Sequence, residues 1–164
     1  AAGLVEAVGE GVGDLRAGDR IAYGTGPIGA YSERRVMPVD KVLKLPGAIN
    51  DRTGAAMMLQ GLTAQYLLRR TYRVKPGDKI LVHAAAGGVG LILCQWGKHL
   101  GATVIGTAGT PEKAALAKAH GCDHVILYRS EDFVKSVREL TAGRPEPARR
   151  VLRAGAVQKR SSPP

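Results

Sequence analysis

Aromatic side chains are scarce, at 4% of the 164 residues with a single Trp and a single Phe. Such a chain offers no row of π-faces on which the bases of a single-stranded nucleic acid could stack. Cysteine is nearly as rare. Cys94 and Cys122 are too few for a four-cysteine zinc site and suggest no disulfide framework. Cys94 falls on the buried side of a predicted helix, where a core thiol belongs. No apolar run approaches the roughly 20 residues that a membrane-spanning helix needs. No basic-then-apolar leader is visible at the first residues. The expectation is a cytoplasmic protein with no membrane partner. The chain opens on Ala rather than Met, and strand-like sequence follows at once, so the interior of a longer protein is expected.

One sign of charge is in excess. The net charge is +10, which raises a nucleic-acid reading. Its distribution weakens that reading. Residues 143–164 hold Arg144, Arg149, Arg150, Arg153, Lys159 and Arg160 against Glu146, which is half of the excess. The remainder shows no basic stripe, so nucleic acid is not an expected partner.

What is present divides the chain into four parts. Residues 1–50 carry many glycines and short extended segments, as part of a small β domain would. Residues 51–78 form a connecting helical segment, with Asp51 placed to cap it and Gly61 placed to break it. Residues 79–142 alternate strand and helix three times, the pattern of a parallel sheet covered by helices. Residues 143–164 have four prolines and little periodicity, and are expected to be a disordered basic tail.

The chemistry is concentrated at the first of these strand–helix junctions. "LVHAAAGGVGLILCQW" places a strand, a glycine turn and a helix in succession. The G-x-G-x-x-G pattern of a dinucleotide turn is missing its first glycine and reads Ala85-Ala86-Gly87-Gly88-Val89-Gly90. An alanine is tolerable at that first place if its φ stays negative. Gly87 and Gly88 would let a diphosphate approach the backbone, and Gly90 would let the helix sit close to the strand. A second absence selects the cofactor. The next strand ends in Val104-Ile105-Gly106-Thr107-Ala108-Gly109-Thr110, with no acid to bond the ribose hydroxyls of NAD. Lys113 lies one helical turn further on, which fits a 2′-phosphate and so NADPH.

Beyond these motifs, "AGDRIAYGTGPIGAYSE", "GLTAQYLLRRTY" and the stretch from Leu81 to Phe133 resemble the quinone oxidoreductase (zeta-crystallin-like) branch of the medium-chain dehydrogenase/reductase superfamily. The resemblance runs from about residue 1 to about residue 142. It implies an α/β fold: a partial Rossmann domain with helices on both faces of a parallel sheet, preceded by the C-terminal part of a GroES-like catalytic domain. It implies NADPH as cofactor, with Ala86, Gly87, Gly88, Val89 and Gly90 at the diphosphate and Gly109 near the adenosine ribose. Lys113 and Tyr128 would meet the 2′-phosphate, Arg129 would assist electrostatically, and Thr63 would lie near the nicotinamide. The implied activity is reduction of a quinone or other small electrophile by NADPH, without zinc, in a full-length parent that is a homodimer. No catalytic residue is assigned, and His83, His99, His120 and His124 are expected to have structural or surface roles.

Set against that family, the first half of the catalytic domain and the fourth Rossmann strand are missing. The first Rossmann strand would then lie at a sheet edge, and the chain itself is expected to be a poorly active fragment. The rival readings are an NADPH-dependent enoyl reductase of the same superfamily and a non-catalytic NADPH- or RNA-binding protein.

Overall fold

The computed structural model describes residues 1–141 and 151–152. The chain forms two compact units, Ala1–Leu62 and Thr63–Pro164. In the first, β1 (Ala2–Leu4), β2 (Arg20–Ala22) and β3 (Leu43–Lys44) form an antiparallel sheet in that order. Ala2 faces Ala22 and Ile21 faces Lys44. The strands are short because glycines and prolines punctuate the segments between them. The turn before β2 is closed by buried Asp19, which accepts from the Arg16 amide at 3.1 Å and pairs with Lys44 at 2.7 Å.

Helix α1 runs from Asp51 to Gln65. Its cap is Asn50, whose Oδ1 accepts from the Thr53 amide at 2.8 Å, and not Asp51 as the sequence suggested. Asp51 is engaged by Arg20, which reaches its Oδ1 at 2.7 Å and the carbonyl of Ile49 at 2.6 Å. Gly61 does not break the helix. A lone glycine costs a helix only about 1 kcal/mol, which flanking burial of Met58 and Ala64 offsets. The irregularity comes later. Tyr66–Thr71 is π-helical, with the Tyr72 amide donating to the carbonyl five residues back, Leu67, at 3.2 Å.

The second unit is the parallel α/β part. Its strands are β4 (Lys79–Val82), β5 (Thr103–Ala108), β6 (His124–Leu127) and β7 (Val151–Leu152), in the order β6-β5-β4-β7. Helices α2 (Gly88–His99), α3 (Pro111–Ala119) and α4 (Phe133–Leu140) fall in the crossovers. Side chains alternate across a strand, so one face of the sheet carries Ile80, Val82 and Val104 and the other carries Leu81, Ile105 and Ile126. The first set packs with Leu93, Cys94 and Ala117 from α2 and α3. The second packs with Val137, Phe133 and Leu140 from α4. Helices therefore cover both faces, as a Rossmann domain requires.

Helix α2 buries Gly90, Leu93, Cys94 and Gly97, and the larger apolar residues Val89, Ile92 and Trp96, with Leu100 just after the helix, pack half-buried against the same core. Contact distance accounts for the glycines: a Cβ on Gly97 would lie 2.7 Å from Ile80 Cδ1, so α2 approaches the sheet through its glycine side. One expectation needs correction: β4 is not an edge strand, because Val151 and Leu152 pair with Leu81 and Val82 in parallel register. An open ladder takes up extended backbone, and two residues are too short for periodicity to reveal. The other residues of the expected disordered tail lie outside the described residues. Among the described residues no helix is long and apolar enough to cross a membrane.

Candidate cofactor site

Strand β4 ends at Val82, and five residues carry the chain into α2. The turn is tight: the Gly87 amide donates to the Ala84 carbonyl at 2.8 Å, and Leu91 donates to Gly87 at 2.8 Å. Ala84 has φ +53°, a left-handed conformation unusual for a residue with a Cβ. The strained position thus precedes the motif. Ala85, which stands where the pattern has its first glycine, is outside the left-handed region, as the sequence reading required.

Space, rather than φ, demands the glycine at the end of the motif. A Cβ on Gly90 would lie 2.3 Å from the Ala84 carbonyl oxygen and 2.8 Å from the carbonyl carbon of Ala85. Gly87 is less constrained, with the Ala84 oxygen at 3.2 Å and φ of −79°. The neighbouring strand anchors the turn. Buried Thr107 accepts from the Ala85 amide at its carbonyl, 3.0 Å, and from the Ala84 amide at Oγ1, 3.3 Å. His83 Nδ1 lies 3.2 Å from the same Oγ1, and its ring packs on Phe133.

The N-terminus of α2 differs from those of its neighbours. Thr110 caps α3 and Asp132 caps α4 with side-chain oxygens. Gly87 provides no side-chain cap to α2, and no acid lies in its first turn. The amides of the first turn, and the positive end of the helix dipole, therefore lack a side-chain cap at the N-cap residue. Ala86 and Val89 are half-buried beside it, and Gly87 and Gly88 are exposed.

A second cluster forms where β5 and β6 end. The Tyr128 amide donates to the Ala108 carbonyl at 3.3 Å, which places its ring over Gly109. A Cβ on Gly109 would meet the Tyr128 hydroxyl at 2.8 Å and Arg129 Nε at 3.5 Å. Arg129 and Tyr128 thus converge on the one backbone position that lacks a side chain. Thr110 caps α3 by accepting from the Lys113 amide at 3.4 Å, so Lys113 stands in the first turn of the helix that leaves Gly109. Glu112 is the nearby acid. A hydrogen bond from the Thr110 hydroxyl, with its own amide, holds its carboxyl below the ordinary range.

The sequence-derived candidates are therefore arranged in two groups on one sheet end: Ala86–Gly90 at the turn, and Gly109, Lys113 and Tyr128 at the next strand end. Thr63 lies on α1, half-buried beside fully buried Ala64. Sequence reasoning missed Ala84 and Thr107. Nothing in local sequence marks an alanine as left-handed. Nothing in local sequence marks Thr107 either, since β5 carries a second threonine, Thr103.

Residues 88–152 match the family model described as zinc-binding dehydrogenase. The chain is 54% identical to a quinone oxidoreductase of Pseudomonas aeruginosa over 143 residues, which covers 87% of this chain and 44% of that protein. It is 51% identical to a 2-haloacrylate reductase of Burkholderia, over 88% of this chain and 44% of that protein. The crystal structure of Escherichia coli quinone oxidoreductase complexed with NADPH superposes with a TM-score of 0.82 at 51% identity, over 87% of this chain and 44% of that one. The chain thus spans under half the length of the relatives it matches.

Proposed function

The chain belongs to the quinone oxidoreductase branch of the medium-chain dehydrogenase/reductase superfamily, and on that premise we propose that it forms the NADPH-binding part of an enzyme that reduces quinones. The observation that carries the reading is the pairing of an uncapped α2 N-terminus with a cationic, acid-poor strand end.

The residues fit the cofactor. The amides after Gly87 would take the diphosphate, and the bare backbone at Gly87 and Gly88 admits it. Gly90 lets α2 start close enough to β4 for those amides to converge. Gly109 would lie near the adenosine ribose, and Lys113 and Tyr128 would hold the 2′-phosphate, with Arg129 adding charge. A phosphate there replaces the hydroxyls that an acid would have bonded in an NAD enzyme. Glu112 does not substitute for that acid, because it lies past the strand end, in the first turn of α3. Thr63 is assigned to the nicotinamide side. When bound, NADPH supplies the hydride, so this chain's residues need only orient the ring and exclude water. The proposed reaction is zinc-independent, because the nicotinamide itself carries the reactivity.

Turnover by the 164-residue chain alone is proposed to be low, in keeping with the 44% of its relatives' length that it spans. The test is NADPH consumption with a benzoquinone acceptor, alongside direct NADPH binding by the purified chain. Binding with negligible turnover supports the reading. Turnover without NADPH preference, or no binding at all, overturns it. A second acceptor class has support from the 2-haloacrylate reductase relative, whose identity nearly equals that of the quinone oxidoreductases. That reading places a conjugated C=C bond where the quinone would be, and an acrylate acceptor in the same assay separates the two.

A further inference from the structure

His83 is the first residue after β4, at the mouth of the glycine turn. Its position follows from strand register. Val82 pairs with Gly106 in parallel, so the next pair is His83 and Thr107. Both side chains point to the sheet face that α4 covers. There the imidazole packs on Phe133 with ring centroids 5.5 Å apart, and Nδ1 lies 3.2 Å from Thr107 Oγ1. The direction of that hydrogen bond follows from the hydroxyl, which has one hydrogen and two acceptor sites. One acceptor site takes the Ala84 amide, 3.3 Å away. Thr107 is 3% exposed, and a hydroxyl hydrogen so buried needs an acceptor. Among the described residues, His83 Nδ1 is the one acceptor within its reach. Thr107 therefore donates to His83, and the ring is neutral with its proton on Nε2.

That donation fixes the rotation of the hydroxyl and leaves a lone pair aimed at Ala84. Both backbone groups of Ala84 are then committed: its amide goes to Thr107 Oγ1, and its carbonyl takes the Gly87 amide at 2.8 Å. Ala84 is the one non-glycine residue with positive φ among the described residues, at +53°. Such a conformation persists only where the surroundings impose it. The same carbonyl oxygen is the atom that most closely excludes a side chain from Gly90. A chain of contacts thus runs from Phe133 through His83, Thr107 and Ala84 to Gly87, the N-cap of α2.

We propose that His83 is a positioning residue for the cofactor turn: by accepting the Thr107 hydroxyl at Nδ1 it holds Ala84 left-handed and so aims the first amides of α2. The consequence for NADPH rests on the reading of this turn as the diphosphate site, and the consequence for the turn itself does not. A phenyl ring in place of the imidazole would keep the packing on Phe133 but accept nothing. The buried hydroxyl would then have to find another acceptor at the expense of Ala84. An asparagine would lose the ring but keep an acceptor, because its Oδ1 stands near the place of Nδ1.

The test has two parts. Nitrogen-15 NMR of the purified wild-type chain, in mildly alkaline buffer, reads the tautomer of His83. Expected is a bare Nδ1 beside a protonated Nε2. A proton on Nδ1, in the other tautomer or in a charged ring, overturns the proposal, and this result needs no variant to fold. Hydrogen exchange then follows the amides of Ala84 and Ala85. Exchange there should rise about tenfold in His83→Phe, the loss of one hydrogen bond, and return close to the wild-type rate in His83→Asn. The Val104 amide, which donates to Asp123, is the internal reference and should keep its rate in both. Equal acceleration at all three amides means general destabilisation and overturns the proposal. Unchanged exchange in His83→Phe, or no recovery in His83→Asn, does the same. NADPH affinity should fall in His83→Phe and recover in His83→Asn, and unchanged affinity beside faster exchange overturns the positioning role. If the wild-type chain fails to bind NADPH at all, the cofactor reading fails while the tautomer and the exchange still decide this one.

Discussion

Replacing Gly90 with alanine probes how the turn is built. The added Cβ would lie 2.3 Å from the Ala84 carbonyl oxygen and 2.8 Å from the Ala85 carbonyl group. Both obstacles are backbone, and the turn must retreat by about 1 Å to reach ordinary contact. Overpacking of this kind costs about 1–3 kcal/mol, at the upper end where no flexible side chain can yield. Alanine returns about 1 kcal/mol of helix propensity. The net expectation is a loss of about 1–2 kcal/mol, or a drop of roughly 5–15 °C in Tm for a unit of this size. Trp96, the chain's one tryptophan, reports on α2 directly, so thermal melts followed by its fluorescence suit the assay. Gly87→Ala is the internal control. Its Cβ would meet the same oxygen at 3.2 Å with φ already negative, so stability should change by less than about 1 kcal/mol. NADPH affinity should fall in Gly90→Ala by more than the loss of folded protein explains, because the amides that would take the diphosphate move with the turn. If Gly90→Ala melts with the wild type and binds NADPH equally well, the steric account of the turn is wrong.

Three further expectations follow from the same geometry. Thr107→Val removes the hydroxyl that accepts from the Ala84 amide and meets His83, and should cost about 1–3 kcal/mol in denaturant titrations. Asp123 titrates below its ordinary value of 3.8: burial opposes this, but Lys98 and the Val104 amide outweigh it. Its contribution is present above that value and disappears as pH falls through the depressed one, so the wild type should lose more stability across that acid window than Asp123→Asn does. Adding a side chain at Gly109 should displace Tyr128 and Arg129 from it, so Gly109→Val should weaken NADPH binding with little loss of stability, measured by titration and melting together.

Much of the α/β half was legible in the sequence because its signals are local. Strands β4, β5 and β6 are short apolar runs set off by glycine and by charged or polar turns, and Thr110-Pro111 announced the start of α3 as a cap and first-turn proline. What was not legible depended on distance in space. Asn50 rather than Asp51 caps α1 because Arg20, far away in sequence, takes the aspartate. Gly97 is buried on α2 because Ile80 and Val104 come close enough to exclude a larger residue, a contact that helical spacing alone does not contain. The π-helical end of the connecting helix follows no residue pattern that propensity recognises. At the candidate site, the glycine turn and the missing acid were readable as words. The left-handed Ala84 and the anchoring role of Thr107 emerged only when β4 and β5 lay side by side.

The central claim is that the acid-free end of β5 recognises a 2′-phosphate. Its direct test is the ratio of NADPH to NADH dissociation constants for the purified chain and for Lys113→Gln. A lost charge-assisted bond to phosphate is worth about 1.5–3 kcal/mol. The wild type should therefore favour NADPH, and Lys113→Gln should weaken NADPH binding by roughly tenfold or more while leaving NADH nearly unchanged. Equal affinity of the wild type for both cofactors, or an equal loss for both on substitution, would contradict the account.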